Sequence, residues 1–293
     1  MNDFIIVGCG VVSCSVILLL IGAVYWWRYR GVATAPDLER AGAGPGKPLG
    51  PLRRLTKNVS PWNIISISND KNVSIDSQGR IKISFVRGQW GMSSGGAFHA
   101  NPFKSLPASS CVVSYALFVP QGFNFNKGGK LPGVCFGDSL KSCASGGDWS
   151  NTSGSARVWF NGSGRISAYV YMPFGDPKTA YNKQTAAVRR VMKLTGRTGI
   201  YILEKSPLQL RVGSWNALSM TVTLNAPGQS NGSLGISVNG VSRQLDGIRW
   251  RDTASIRISS LNIVSFFGGG SRDWAAPAGS PYVLIDDVRF SAA

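Results

Sequence analysis

From Trp62 to the C-terminus one pattern repeats: short runs in which apolar and polar residues alternate, each closed by Gly, Asn or Ser. "NIISIS", "RIKISFV", "CVVSYALFV", "ARVWF", "RISAYVYM", "GIYILE", "ALSMTVTL", "LGISVNG", "SIRISSL" and "YVLIDDVRF" succeed one another in this way. Alternation with a period of two puts successive side chains on opposite faces of a strand, so each run has one face to bury. Helical periodicity is confined to "KQTAAVRRVMKL", residues 183–194. So many half-buried strands at this spacing predict an all-β chain, an antiparallel jelly roll or sandwich. The 293 residues are enough to bury a proper core. No phosphate-binding loop, dinucleotide fingerprint or HExxH motif accompanies the strands.

The first 57 residues read differently. Phe4 to Trp27 carries no charge, and its 24 residues are long enough to cross a bilayer as a helix. Tyr25, Trp26 and Trp27 then form an interfacial belt, with Arg28 and Arg30 directly behind it. A secretory signal would carry its cations ahead of the apolar run. Residues 1–30 are therefore expected to be a transmembrane anchor in a lipid membrane, with the bulk of the chain on the cytoplasmic side. Residues 31–57 form a Gly/Pro/Ala linker with seven basic side chains counted from Arg28 to Lys57. It is either a tether lying on anionic headgroups or an arm that threads into a partner assembly. The β domain is expected over residues 58–293.

The formal charge of +17, from 31 Lys and Arg against 14 Asp and Glu, calls for acidic partners without choosing among them. Nucleic acid ranks low, because the cations are not interleaved with a recognisable binding fold. The single histidine, His99, excludes a His-rich metal site and reads as a local structural residue. Five cysteines are too few for a zinc cluster or a disulfide-dense scaffold. A Cys135–Cys143 bridge is sterically open but not established by spacing. The basic stretch 178–197 reads as an added surface, suited to a polyanion or to an acidic neighbour.

One segment fits no strand cleanly. "NFNKGGKLPGVCFG", residues 124–137, places Lys130 between two glycines and a Leu-Pro pair. Glycine permits backbone shapes closed to other residues, and proline stiffens the chain around it. Such a loop suits a fixed cation that receives an anion. A lysine after two glycines can equally be a solvated turn, and Tyr169 and Tyr171 on one strand face can simply pack.

Read together, "GGKLPG" (128–133), "CASGG" (143–147), "SARVWF" (155–160), "YVY" (169–171) and "FFGGGSRDW" (266–274) change that balance. The first four resemble motifs of family 14 polysaccharide lyases, β-jelly-roll enzymes known from large algal DNA viruses, molluscs and fungi. "GSWNALSMTVTLN" and "LGISVNG" are similar to that family's late strands. The resemblance covers roughly Trp62 to the C-terminus. It implies β-elimination of a polyuronate, with Lys130, Tyr169 and Tyr171 catalytic and Ser155 and Arg157 binding substrate, and no metal or cofactor. On this view Lys130 and Arg157 neutralise the uronate carboxylate and also lower a tyrosine's pKa so that it can serve as base.

Two functional readings result. The first combines the anchor, the basic arm and the charge into a virion component, a minor capsid protein that ties an internal viral membrane to neighbouring capsid proteins. Its viral part rests on the resemblance alone. The second is an active, tethered glucuronate or alginate lyase that cleaves cell-wall polysaccharide.

Overall fold

The computed structural model describes residues 47–293, apart from 51, 53–54, 58–59, 103–107, 196–198, 204 and 206. Two eight-stranded antiparallel sheets stack face to face. The first runs β14 (Val241–Ile248), β13 (Gly232–Val238), β12 (Ser214–Thr223), β6 (Ser110–Val119), β16 (Tyr282–Ala292), β4 (Ile81–Ser84) and β3 (Val73–Ile75), with β1 (Lys47–Pro48) added on β16. The second runs β10 (Met192–Leu194), β11 (Ile200–Ile202), β9 (Ile166–Tyr171), β8 (Ser153–Asn161), β7 (Gly128–Gly137), β15 (Arg257–Phe267), β5 (Gly96–Ala100) and β2 (Ile64–Ser68). The all-β sandwich expected from the alternation is therefore present.

The two sheets bury their residues differently, and the difference locates the site. Strands β12 and β13 alternate buried and half-buried residues along their length, as a sheet with one solvated face must. In β7 and β9 every residue is buried. The inner faces of β7, β8 and β9, with Val134, Phe136, Val158, Phe160 and Val170, join the central core. Their outer faces carry Trp159, Tyr169 and Tyr171 in a separate cluster with Ala144. Loops roof that outer face.

The transmembrane segment lies outside the described residues, and among those described no helix is long and apolar enough to cross a membrane. Of the linker, Lys47 and Pro48 pair with Phe290 and Arg289, and Leu49 and Leu52 are buried in the core. Domain packing thus begins ahead of residue 58. The segment expected to be helical divides. Helix α1 (Pro177–Asn182) is capped by Asp176, whose carboxylate accepts the Thr179 amide, and α2 (Ala186–Arg189) is capped in the same way by Thr185. Residues 192–194 are strand instead, because pairing Met192–Leu194 with β11 satisfies backbone groups that a further helical turn would have left at an exposed end.

Candidate active site

"GGKLPG" is not a loop. It forms the first half of β7, and a bulge explains its composition. Gly133 lies opposite Arg157 and Lys130 opposite Trp159, so three steps along β7 match two along β8. The extra residue reverses the inside-outside alternation. Without it Leu131 would point outward; with it Leu131 joins the core and Lys130 turns to the outer face. Strand β15 carries its own irregularity between Asn262 and Phe266, opposite the same stretch of β7. Pro132 fits here because it has no N–H to leave unpaired within the bulge. Gly133 is required for approach: a Cβ there would sit 2.1 Å from the Ala156 carbonyl oxygen.

Residues directly opposite one another across paired strands share a face. One row reads Gly133, Arg157, Tyr169, Tyr201 and Lys193, crossing β7, β8, β9, β11 and β10. A neighbouring row reads Cys135, Ser155 and Tyr171. The sheet thus brings all five sequence-predicted site residues to one face, but at two depths. Lys130, Tyr169 and Tyr171 line a cleft of about 630 Å³, together with Trp159, Tyr201, Phe266 and Trp274. Arg157 and Ser155, 1% and 0% exposed, are not among its lining residues. Both donate to the Ala144 carbonyl, Ser155 Oγ at 2.7 Å and Arg157 at 3.3 Å. They brace the "CASGG" loop from beneath. The Arg157 Nε is buried without a hydrogen-bond partner.

Lys130 Nζ stands over three rings, 4.3 Å from the centroid of Tyr169 and 4.9 Å from those of Trp159 and Phe266. Aromatic faces attract a cation, by roughly 0.5–2 kcal/mol each. Burial acts against the charge, and with the like charge of Arg157 it drives the Lys130 pKa well below that of an ordinary lysine. Tyr171 moves the other way. Burial and the neighbouring Tyr169 raise its pKa above the usual tyrosine range, and Arg157 and the Gly147 amide only partly offset them. The expectation that cations would ready a tyrosine as base is thus reversed for Tyr171, because the desolvation of a phenolate outweighs the pull of Arg157.

Both phenol oxygens are pinned by backbone amides. Gly147 N–H donates to Tyr171 at 3.0 Å and Gly199 N–H to Tyr169 at 2.7 Å. Cys135 and Cys143 form a disulfide that ties the base of the "CASGG" loop to β7. His99 and both sulfurs come within 4.8 Å of one another, but a disulfide offers no thiolate to a metal. Burial, with Arg157 nearby, lowers the His99 pKa to about 4 against a weaker hydrogen bond with Asn262, so it is neutral at physiological pH.

Several site residues were in view without being assigned a part. Trp159, Phe266 and Trp274 sit within the quoted motifs, while Tyr201 and Lys193 reach the cleft only through the pairing of β11 and β10. The aromatics Trp159, Tyr169 and Tyr171, on the face of β8 and β9 opposite the core, were the available signal.

Two stacked antiparallel sheets, with a lysine–tyrosine cleft on the outer face of one, define a β-sandwich of the lyase type. The structure superposes on the PL-14 alginate lyase of Aplysia kurodai with a TM-score of 0.73, at 20% identity over 86% of this chain and 100% of that one. Alginate lyase vAL-1 from Chlorella virus gives a TM-score of 0.63 at 22% identity, over 80% and 93%. The family model described as Polysaccharide lyase 14 matches residues 74–283, and the chain belongs to that family. A protein named Exolysin, from Paramecium bursaria Chlorella virus 1, is 25% identical over 200 residues, 63% of this chain. The chain spans only 30% of the length of that relative. These matches overturn the reading as a virion structural component: they point to a polysaccharide lyase and not to a capsid protein.

Proposed function

We propose that the chain is a lyase that cleaves an acidic, uronate-containing polysaccharide by β-elimination. The observation that carries the reading is the pair Lys130 and Tyr171, which line one cleft with proton affinities pushed apart in opposite directions. Groups separated in this way divide into a base and an acid. Lys130, in its free-amine form, takes the proton from the carbon beside the uronate carboxylate. The electron pair left behind forms a carbon–carbon double bond and the neighbouring glycosidic C–O bond breaks. Tyr171, still protonated, gives its proton to the leaving oxygen. Tyr169 orients the sugar ring from the same face, and Arg157 beneath the floor supplies positive field to the carboxylate. Ser155 acts on substrate indirectly, through the Ala144 loop. The family membership and the names of the structural relatives, alginate lyases, support an acidic polysaccharide as substrate.

The purified domain, offered polyglucuronate and alginate, should generate ultraviolet absorbance from the unsaturated uronic end of each cut chain. Absence of both cleavage and binding across a panel of polyuronates would remove the proposal.

The same reading keeps residues 1–30 as a single-pass anchor ahead of the catalytic domain. The arginines behind the apolar run favour a cytoplasmic domain. Paired cysteines favour an oxidising compartment. On the charge rule, the full chain made in microsomes should carry no glycan at Asn151 or Asn161. Efficient modification at either site would place the domain on the opposite side.

A further inference from the structure

Beyond the catalytic cleft, at the edge of the same sheet, lies a second cavity of about 380 Å³. Arg190, Lys193, Lys205 and Arg243 line it, together with Val191 and Leu203. Lys193 lines both cavities. The register explains why: Lys193 pairs with Tyr201 and Tyr201 with Tyr169, so Lys193 is two strands out from Tyr169 in the same row. At about 4.8 Å per strand that is roughly 10 Å across the sheet. Arg190 comes directly after α2, and Arg243 belongs to β14, the edge strand of the other sheet, so residues far apart in sequence converge on one pocket. Among the described residues, Arg190, Lys205 and Arg243 take part in no ion pair. Glu204 is the one carboxylate next to them in sequence.

We propose that this pocket is a distal subsite for the same acidic polysaccharide, holding carboxylates of a chain that leaves the catalytic cleft past Tyr201 and Lys193. The inference rests on the lyase reading. A linear polymer with one anionic charge per sugar meets, along this path, a row of cations spaced over several sugars. Arginine suits the purpose, since its planar fork takes a carboxylate through two hydrogen bonds. Val191, 40% exposed, offers an apolar wall to a sugar face. The arrangement makes chain length a determinant of affinity: a disaccharide straddling the cleft ends before the pocket, and a polymer engages both.

The experiment compares the wild-type domain with R190Q/K205Q/R243Q, on polymeric polyuronate and on a purified disaccharide of the same sugar. The expected result is a KM for polymer raised about tenfold or more, with kcat unchanged and disaccharide kinetics unaltered. Raising salt should weaken polymer binding more steeply in wild type than in the variant. Equal polymer KM in the two proteins, with wild type active, overturns the subsite and leaves the lyase reading standing. Loss of kcat on both substrates also overturns it, since the three residues would then support the fold or the chemistry. A wild-type domain that neither cleaves nor binds any polyuronate removes the lyase reading, and the subsite falls with it. Melting temperatures of both proteins exclude unfolding as the cause.

Discussion

Lys130→Arg should lower the cleavage rate by roughly 10²- to 10⁴-fold, the usual contribution of a positioned proton-transfer group, while polyuronate binding persists. Arginine keeps the positive charge but cannot give up its proton in a protein. If Lys130 served only to neutralise the substrate carboxylate, the substitution would retain much of the activity. The burial that lowers the lysine pKa makes the opposite outcome the expected one. Since the substitution adds bulk among three rings, Lys130→Ala with added small amines gives a second measurement: rescue should track the free-base concentration of the amine. Activity should rise as pH increases through the lowered pKa of Lys130, well before an ordinary lysine value of about 10.4. It should not decline until beyond an ordinary tyrosine value of about 10, because Tyr171 is raised. Tyr171→Phe should cost a similar factor in kcat and spare binding. Near-wild-type turnover by Lys130→Arg, with an unchanged pH profile, would sink the assignment of the base.

Opening the Cys135–Cys143 bridge should damage both stability and turnover. The two cysteines are eight residues apart. Loop-closure entropy for a ring of that size corresponds to about 2–3 kcal/mol of stabilisation. The consequence for catalysis comes from what directly follows the closed segment. The Ala144 carbonyl, next after Cys143, receives Ser155 and Arg157, and the Gly147 amide just beyond pins the Tyr171 oxygen. Release of the segment lets the acid wander, and misplacement of about 1 Å is enough to cost on the order of 10²-fold. Cys143→Ser should therefore show a denaturation midpoint shifted to lower denaturant and a kcat at least tenfold reduced, with KM changed less. Mild reduction of the wild-type domain should reproduce both effects. If stability falls while kcat holds, the loop is positioned by its hydrogen bonds alone and the bridge is only a staple.

The strands were legible in the sequence because a half-buried strand writes its burial into every second residue. Strands β12 and β13 show this best, with Leu218, Met220 and Val222 inside and serine or threonine outside. β7 was hidden for the opposite reason. Both of its faces are covered, so it does not alternate, and its glycines and proline imitate a loop. β5 and β14 were also unread: "GAFHA" is too short and "VSRQLDGI" too exposed to carry a period of two.

Within the candidate site, the sequence by itself determined the residue types and their order: a lysine among glycines, two tyrosines at i and i+2, and Arg157 with Ser155 two residues before it. The spacing of Tyr169 and Tyr171 alone required a shared strand face. Tertiary structure decided depth and protonation. Whether a cation meets substrate or braces a loop depends on which elements cover it, and Arg157 lies under the "CASGG" segment, held there by contacts between strands and loop. The proton affinities of Lys130 and Tyr171 depend in the same way on the water each has lost, which is set by neighbours brought from β8, β9 and β15. A sequence pattern can record which face a residue takes, because that is fixed by local geometry. It cannot record desolvation, because that sums over atoms distant in the chain.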